Sequence, residues 1–259
     1  MILRRLGNKS KIAKEIQKHF PKHKIYIEPF FGAGGMFFNK PKVNHNIIND
    51  IDSEVFNFYS VINSNKEDLI ELIRTTPINE DLFKYWVKTK ETEPIKKAFR
   101  YMYITNLSFC ALKNSFQTNV LTFDHDNFYS IINFSYEYLK NTKITNKDFR
   151  ELLIKINFPH GNKDKKQTFI YADPPYLNTT DTYSHSFTEQ DSIDLFNSLQ
   201  ETGCKFAMSE FDNEFIMQQA KERKLNIIYI GERQNLKNRR TEILITNYQV
   251  AKSLFDDCH

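Results

Sequence analysis

The order of pattern elements near the N-terminus limits the fold of this chain more than any other feature. Residues 24–28 have the composition of a short buried strand, and a glycine-rich loop follows at 30–35. Residues 46–49 predict a second strand followed by Asp50, and apolar side chains at helical spacing predict a helix over 53–62. A strand, a glycine loop that opens a helix, a second strand and an acid form the beginning of a doubly wound sheet.

Residues 65–140 depart from this pattern, because helical periodicity dominates them, most clearly at 66–73 and 94–104. Strand patterns resume after this region. We therefore predict one main domain formed by residues 1–64 and 141–259, with 65–140 inserted between its halves as a mainly helical subdomain.

The C-terminal part of the chain returns to strands that alternate with a helix. Four further strands are predicted, at 168–172, 205–208, 226–230 and 242–247. The helix between the first two begins after Thr188, where Thr188 and Asp191 resemble a capping box, and it ends at Gly203. This alternation is typical of α/β folds, in which ligands bind at the carboxyl ends of the strands.

Composition indicates a globular chain without a strong preference for one type of partner. Its 259 residues include 36 Lys and Arg against 32 Asp and Glu, and the net charge of +4 permits a nucleic-acid partner without requiring one. The three cysteines have no paired spacing, so we predict neither a disulfide framework nor a metal site, and we expect a reduced, cytoplasmic compartment. No apolar stretch is long enough to span a membrane, and the N-terminus does not resemble a signal peptide.

The glycine loop and Asp50 together favour a site for a nucleoside. Gly32 and Gly34 lack a Cβ atom and allow a ligand to approach the backbone closely, although an ordinary strand-to-helix turn has the same composition. Asp50 is placed to accept hydrogen bonds from two ribose hydroxyls, and it is equally suited to cap the helix that begins near Asp52. The loop lacks the six-residue glycine fingerprint of dinucleotide sites, which disfavours pyrophosphate binding.

The tetrapeptide Asp173-Pro174-Pro175-Tyr176 is the strongest chemical signal, because it directly follows the strand predicted at 168–172. Two prolines fix the backbone and hold the Pro174 carbonyl outward as an acceptor beside the Asp173 carboxylate. An amino group on an aromatic ring is a poor nucleophile, and two acceptors aimed at its hydrogens free its lone pair and stabilise the developing positive charge. Tyr176 offers an aromatic face on which an extruded base can stack. This 173–176 motif predicts methylation of an exocyclic amine, with a proline-rich turn as the structural alternative.

The chain resembles the Dam-like family of DNA amino-methyltransferases, which transfer a methyl group from S-adenosylmethionine to N6 of adenine. The resemblance rests on motifs that follow one another in the family's order, at 5–9, 28–35, 49–52, 146–149, 173–176 and 240–248. The cofactor motif precedes the 173–176 motif, as in the group whose recognition region is inserted between the two. The resemblance implies a doubly wound, mostly parallel sheet with an antiparallel last strand, and a mainly helical DNA-recognition subdomain at 65–140.

The resemblance also implies roles for individual residues. The implied catalytic residues are Asp173, Pro174, Pro175 and Tyr176. The residues implied to bind S-adenosylmethionine are Gly7, Lys9, Glu28, Pro29, Phe30, Gly32, Gly34, Asp50, Asp148, Phe149 and Asp173. Among them, Asp50 would bind the ribose, and Asp148 and Phe149 would border the adenine of the cofactor.

Contacts with DNA are expected from the insertion, from the loop after the 173–176 motif and from the last hairpin. Asn and Gln side chains pair well with adenine, and a basic hairpin tip can neutralise phosphates, although solvated surface loops have the same composition. The predicted contacts are Asn106, Lys113, Asn114, Gln117, Tyr183, Arg233, Lys237, Arg239 and Arg240. The arginine that the family often has in the insertion is replaced by residues 113–115, so no recognition sequence is carried over.

We therefore predict a site-specific adenine N6-methyltransferase that acts on a flipped adenine in double-stranded DNA, with S-adenosylmethionine as methyl donor. Expected partners are double-stranded DNA and a cognate restriction endonuclease acting on the same site, and the protein is expected to be a monomer or weak dimer that does not bind membranes. Three alternatives stay open: a cytosine N4-methyltransferase, a methyltransferase of RNA or protein glutamine, and a catalytically silent DNA-binding relative. The second usually has Asn where this chain has Asp173, and the third has no need of that carboxylate.

Overall fold

The computed structural model of the protein describes residues 3, 8–108, 115–117, 125–177, 187–234 and 239–250. It shows a mixed α/β fold with a seven-stranded sheet, which confirms the predicted fold class. Within these ranges, no helix is both long enough and apolar enough to cross a lipid bilayer.

The strands are β1 (Ile25–Glu28), β2 (His45–Asn49), β3 (Thr142–Thr145), β4 (Thr168–Ala172), β5 (Lys205–Phe211), β6 (Asn226–Gln234) and β7 (Arg239–Thr246). Their order in the sheet is β3-β2-β1-β4-β5-β7-β6, mostly parallel and ending in antiparallel strands. The sequence patterns predict each of them except β3. That strand escapes the pattern because Thr-Lys-Ile-Thr contains a single apolar side chain.

The α-helices of the described residues are α1 (Ala13–Gln17), α2 (Ser53–Ser64), α3 (Lys66–Thr75), α4 (Glu80–Lys88), α5 (Pro94–Leu107), α6 (His125–Leu139), α7 (Phe149–Ile154), α8 (Asn162–Gln167), α9 (Glu189–Glu201) and α10 (Glu214–Glu222). The capping box predicted for α9 is confirmed. The Thr188 hydroxyl accepts a hydrogen bond from the Asp191 amide at 3.1 Å, and the Thr188 amide donates to the Asp191 carboxylate at 2.8 Å.

The expectation that the glycine loop opens an α-helix is wrong, because a single 3₁₀ turn follows the loop at Phe37–Asn39. Lys40 ends this turn in an extended conformation, with φ −86° and ψ 159°. Pro41 follows directly, and a residue that precedes proline is disfavoured in the helical region. The segment between the glycines and Pro41 is therefore too short for a regular α-helix.

The chain divides into two compact units. Unit 1 consists of Met1–Lys11, Phe31–Lys42 and Ile47–Asp148, and it contains the helices α2 to α6. In unit 1, the rings of Phe58 on α2 and Tyr101 on α5 lie 6.2 Å apart, and Trp86 of α4 lies 5.0 Å from Tyr103 of α5. The helices α3 to α6 confirm that helices dominate the described part of residues 65–140, and the boundaries of a recognition subdomain stay a prediction.

Unit 2 consists of Ile12–Phe30, Val43–Asn46 and Phe149–His259. Its central strand is β4, whose five residues are all buried and which pairs in parallel with β1 on one side and β5 on the other. Strand β7 then pairs antiparallel with β5 and with β6. The 173–176 motif thus begins at the carboxyl end of a strand that neighbours hold on both sides.

Candidate active site

In unit 1, the glycine loop requires glycine at both of the predicted positions. Gly32 and Gly34 have φ values of +54° and +72°, in the left-handed region that side chains with a Cβ atom rarely adopt. A Cβ atom on Gly34 would lie 2.5 Å from the Phe38 ring and 2.9 Å from the Phe31 ring. No atom lies within 4 Å of a Cβ atom built on Gly32, so Gly34 serves packing while Gly32 leaves open space beside the backbone.

The Asp50 carboxylate holds the glycine loop against the end of β2. Its Oδ2 accepts a hydrogen bond from the Gly32 amide at 2.7 Å, and its Oδ1 accepts one from the Asp52 amide at 2.9 Å. Asp50 is not the helix cap, because Asp52 occupies that position and accepts from the Glu54 amide at 2.9 Å. A carboxylate offers about four acceptor positions, so the ribose role predicted for Asp50 is compatible with both contacts.

Two asparagines that the sequence interpretation did not assign fix the segment before Asp148 in unit 1. The Asn49 side chain donates to the Lys147 carbonyl at 2.9 Å and accepts from the Lys147 amide at 3.0 Å. The Asn146 side chain donates to the Asp50 carbonyl at 2.7 Å. These contacts bring the half-buried Asp148 to the same strand end as Asp50, as expected if both serve one ligand.

The N-terminal segment of unit 1 lies against the glycine loop. A Cβ atom on Gly35 would come within 2.4 Å of Asn8 Oδ1 and 3.1 Å of the Lys9 amide. Asn8 Oδ1 also accepts from the Ser10 amide and hydroxyl, at 3.0 and 2.8 Å. Lys9 is buried, so this predicted cofactor ligand belongs to a packed segment, whereas Gly7 lies outside the described residues.

Alanine at Gly32 is expected to weaken S-adenosylmethionine binding by about tenfold or more, or about 1.4 kcal/mol. The new methyl group would occupy the open space beside the loop, where the ligand is predicted to approach. Gly161 provides a control, because it also has a positive φ, of +54°, and open surroundings. Both substitutions should lower stability, since each places a Cβ atom at a positive φ, and only Gly32→Ala should change the dissociation constant measured by calorimetric titration. Equal affinities in the two variants would contradict a ligand at Gly32.

In unit 2, the tyrosine of the 173–176 motif contacts two residues of the sheet. The Tyr176 hydroxyl donates to Glu242 Oε1 at 2.5 Å, and the Tyr176 ring packs edge-on against Phe211 with centroids 4.7 Å apart. Burial, together with the nearby Asp173 and Glu242 carboxylates, raises the pKa of Tyr176 well above its usual value. Tyr176 therefore remains a neutral phenol that donates to Glu242. Asp173 itself is half-buried at the strand end.

Two further buried carboxylates of unit 2 lie close to strand ends. Glu28, at the end of β1, accepts from the Tyr26 hydroxyl at 2.8 Å, and Pro29 follows it as a buried residue. Glu210 of β5 accepts from the amide of Leu177, the residue directly after the motif, at 3.4 Å. Glu210 and Glu242 were not among the predicted site residues, because a single acid in a strand pattern gives no sign of its partner.

Three phenylalanine rings form a cluster in unit 2. Phe30 lies 5.5 Å from Phe149 and 6.0 Å from Phe187, and Phe149 lies 6.0 Å from Phe187. Phe30 and Phe149 were both predicted to bind the cofactor, and the structure brings them together. Phe187, which directly precedes the N-cap Thr188 of α9, joins them and was not among the predicted site residues.

The structure describes only some of the predicted DNA contacts. Asn106 is buried in the last turn of α5, and its side chain donates to the Met102 carbonyl at 3.0 Å, which speaks against a direct contact with DNA. Gln117 is half-buried, and its amide donates to the Leu107 carbonyl at 2.7 Å. Four of the predicted contacts lie outside the described residues, namely Lys113, Asn114, Tyr183 and Lys237. At Arg233 and Arg239, only the backbone is described.

Arg240 has partners within unit 2, beside the 173–176 motif. Its guanidinium lies 5.5 Å from the Phe211 ring centroid, and its Nη1 donates to the Leu177 carbonyl at 3.4 Å.

We therefore expect Arg240→Met to lower the rate of methyl transfer without changing how steeply DNA affinity falls with salt. A phosphate contact would instead reduce the slope of log affinity against log salt by about one. Binding titrations over a range of salt concentrations distinguish the two roles.

Comparison with known proteins adds to this geometry. A family model described as D12 class N6 adenine-specific DNA methyltransferase matches residues 6–241. The chain belongs to this family. As a D12 class methyltransferase, the protein methylates adenine N6 in DNA and uses S-adenosylmethionine. This membership decides between the alternative methyl acceptors in favour of adenine.

Individual proteins similar to this D12 class methyltransferase include the type II methyltransferase M1.LlaDCHI of Lactococcus lactis subsp. cremoris. It is 27% identical, and the alignment covers 93% of each chain. The DNA adenine methylase of Haemophilus influenzae is 26% identical over 66% of this chain and 61% of its own length. Among solved structures, the rRNA methyltransferase aviRa of Streptomyces viridochromogenes aligns with 92% of this chain and 84% of its own, with 11% identity and a TM-score of 0.36.

Proposed function

We propose that the protein methylates an adenine of double-stranded DNA at the 173–176 motif, with Asp173 and the Pro174 carbonyl as the acceptors that activate the amino group. The observation that supports this proposal most strongly is the position of the motif at the carboxyl end of β4. Every residue of β4 is buried, and β1 and β5 pair with it on both sides. A strand held in this way presents its acceptors in a fixed direction, so they need little reorganisation during the reaction.

Methylation of the amino group depends on two hydrogen-bond acceptors and on a surface that holds the base. Asp173 and the Pro174 carbonyl accept hydrogen bonds from the two N6 hydrogens, which frees the nitrogen lone pair and stabilises positive charge on it. The nitrogen forms a bond to the methyl group as the bond from that group to the donor sulfur breaks, and the nitrogen then passes one proton to the Asp173 carboxylate. S-adenosylmethionine, when bound, supplies that methyl group on a positively charged sulfur. Tyr176 holds the ring of the adenine, which has left the base stack, by contact with its face.

The cofactor roles that the sequence predicts are proposed for each unit by itself. In unit 1, we propose that Asp50 binds the ribose, with Asp148 nearby, and that the open backbone at Gly32 lies against the ligand. In unit 2, we propose that the rings of Phe30 and Phe149 contact the cofactor adenine, since their cluster supplies a flat apolar surface. The other cofactor ligands in this proposal are Gly7, Lys9, Glu28, Pro29, Gly34 and Asp173.

The proposal extends to partners and setting. The similarity to a type II methyltransferase supports a restriction–modification system with an endonuclease that acts on the same DNA site. We propose that residues 65–140 recognise the DNA sequence, together with the hairpin of β6 and β7. A monomer or weak dimer in the cytoplasm fits these roles.

Substrate preference tests the proposed partner. We expect the protein to transfer labelled methyl groups from S-adenosylmethionine to unmethylated duplex DNA faster than to the separated strands of the same DNA, and not to RNA. Sequencing of the modified duplex should then show methylation at one recurring sequence. Faster transfer to RNA, or modification spread without sequence preference, would overturn the proposal.

A further inference from the structure

Tyr176 packs against the face of the sheet that carries Glu242 of β7 and Phe211 of β5. In the antiparallel pair of β5 and β7, Glu242 lies directly opposite Phe211, so both side chains project from the same face of the sheet. Tyr176 contacts both of them, through its hydroxyl at 2.5 Å from Glu242 Oε1 and through its ring at 4.7 Å from Phe211. Two separate contacts on one rigid surface fix both the position and the plane of the Tyr176 ring.

The backbone after Tyr176 is held at the same place. Glu210 accepts from the Leu177 amide, and Arg240 donates to the Leu177 carbonyl. Arg240 precedes Glu242 by two residues on β7, which places both side chains on one face of that strand. The exit of the motif from the sheet is therefore anchored on side chains of β5 and β7.

The burial of Glu242 indicates that this contact has a purpose beyond packing. Glu242 is fully buried beside the apolar residues 243–245, where an unpaired carboxylate would cost considerable free energy. An apolar side chain would fill the position at lower cost, but it would leave the Tyr176 hydroxyl without its acceptor. The strand thus carries a carboxylate at the one point where the tyrosine of the motif needs an anchor.

We infer that Glu242 is a positioning residue for methyl transfer, which fixes the Tyr176 ring so that its face meets the target adenine. This inference rests on the proposed function of Tyr176 as the residue that stacks on the base. It predicts that loss of the Glu242–Tyr176 hydrogen bond impairs the methyl-transfer step on DNA and leaves S-adenosylmethionine binding unchanged.

Substitutions of similar size test this inference. Glu242→Gln keeps an acceptor oxygen and should retain the single-turnover rate within about threefold, whereas Glu242→Leu should lower it by about 10- to 100-fold. Tyr176→Phe keeps the ring and removes only the hydroxyl, so it should lower the rate by about tenfold even if Glu242→Leu fails to fold. The dissociation constant of S-adenosylmethionine should stay within about twofold in each folded variant.

A double-substitution cycle identifies the route of the effect. If Glu242 acts through Tyr176, then Tyr176→Phe with Glu242→Leu should be no slower than the slower single variant. Ser209→Ala is the matched control, because it removes the partner of another buried tyrosine hydroxyl, that of Tyr171, at 2.8 Å. It should lower the melting temperature and leave the rate unchanged.

Several results would overturn the inference while leaving the proposed function intact. They are wild-type rates in Tyr176→Phe, equal losses in Glu242→Gln and Glu242→Leu, and losses that multiply in the double variant. Failure of the proposed function would be recognised by a different result, because the wild-type protein would then produce no N6-methyladenine. In that case, the same double-substitution cycle measured on melting temperatures would still show whether Tyr176 and Glu242 interact.

Discussion

Replacing Asp173 with alanine is expected to slow methyl transfer by about 10²- to 10³-fold, the usual cost of losing one preorganised group that stabilises transition-state charge. The carboxylate directly follows β4, whose five residues are buried, so its backbone is held in place before the reaction begins. Single-turnover rates on duplex DNA measure this loss. Binding of S-adenosylmethionine should be largely retained, because Asp173 is one of many residues proposed to contact it.

The size of the loss distinguishes a catalytic acceptor from a structural one. Asp173→Asn keeps one acceptor oxygen and the same volume, so its rate should fall between those of the wild type and Asp173→Ala. Glu222→Ala, an exposed substitution at the end of α10 and outside residues 65–140, should leave the rate unchanged. Near wild-type rates in Asp173→Ala would show that the carboxylate is not needed to activate the amine.

Replacing Gly34 with alanine is expected to have the second large effect, on stability and on cofactor binding together. The added Cβ atom would lie 2.5 and 2.6 Å from two carbons of the Phe38 ring and 2.9 Å from the Phe31 ring, at a backbone φ of +72°. Backbone strain and overpacking together should cost roughly 2–5 kcal/mol. Relief of the clash by movement of the loop would also displace the Gly32 amide from Asp50.

Gly203 provides the control for Gly34, since its φ of +68° is nearly the same. A Cβ atom there would meet the Lys165 side chain at 3.6 Å, an ordinary contact, so Gly203→Ala should cost only the backbone strain of roughly 1–2 kcal/mol. Chemical denaturation of both variants gives the difference. Equal losses of stability would show that the packing of Phe31 and Phe38 against Gly34 does not matter.

The fold could be predicted where single segments carry their own signal. The apolar run at 168–172 specifies a buried strand, and Thr188 with Asp191 specifies the start of α9, because both signals depend on residues close in sequence. Strand β3 and the 3₁₀ turn at Phe37–Asn39 could not be predicted in the same way. The first has one apolar residue, and the second depends on how Pro41 restricts Lys40.

The site could be predicted only in part, for a related reason. Sequence order placed Asp50 and the 173–176 motif at strand ends, which the structure confirms. The contact between Tyr176 and Glu242 joins residues 66 positions apart and exists because β5 and β7 pair in one particular register. Local patterns do not encode that register. They also did not separate the roles of Asp50 and Asp52, since both acids follow β2 and only Asp52 caps α2.

Identification of the methylated nucleoside tests the central claim most directly. Unmethylated duplex DNA is incubated with the protein and S-adenosylmethionine, digested to nucleosides and analysed by mass spectrometry, with Asp173→Ala in parallel. N6-methyladenine should form with the wild type and be strongly reduced with Asp173→Ala, which should still bind S-adenosylmethionine. N4-methylcytosine as the product, no methylated nucleoside at all, or equal N6-methyladenine from both proteins would contradict adenine methylation at the 173–176 motif.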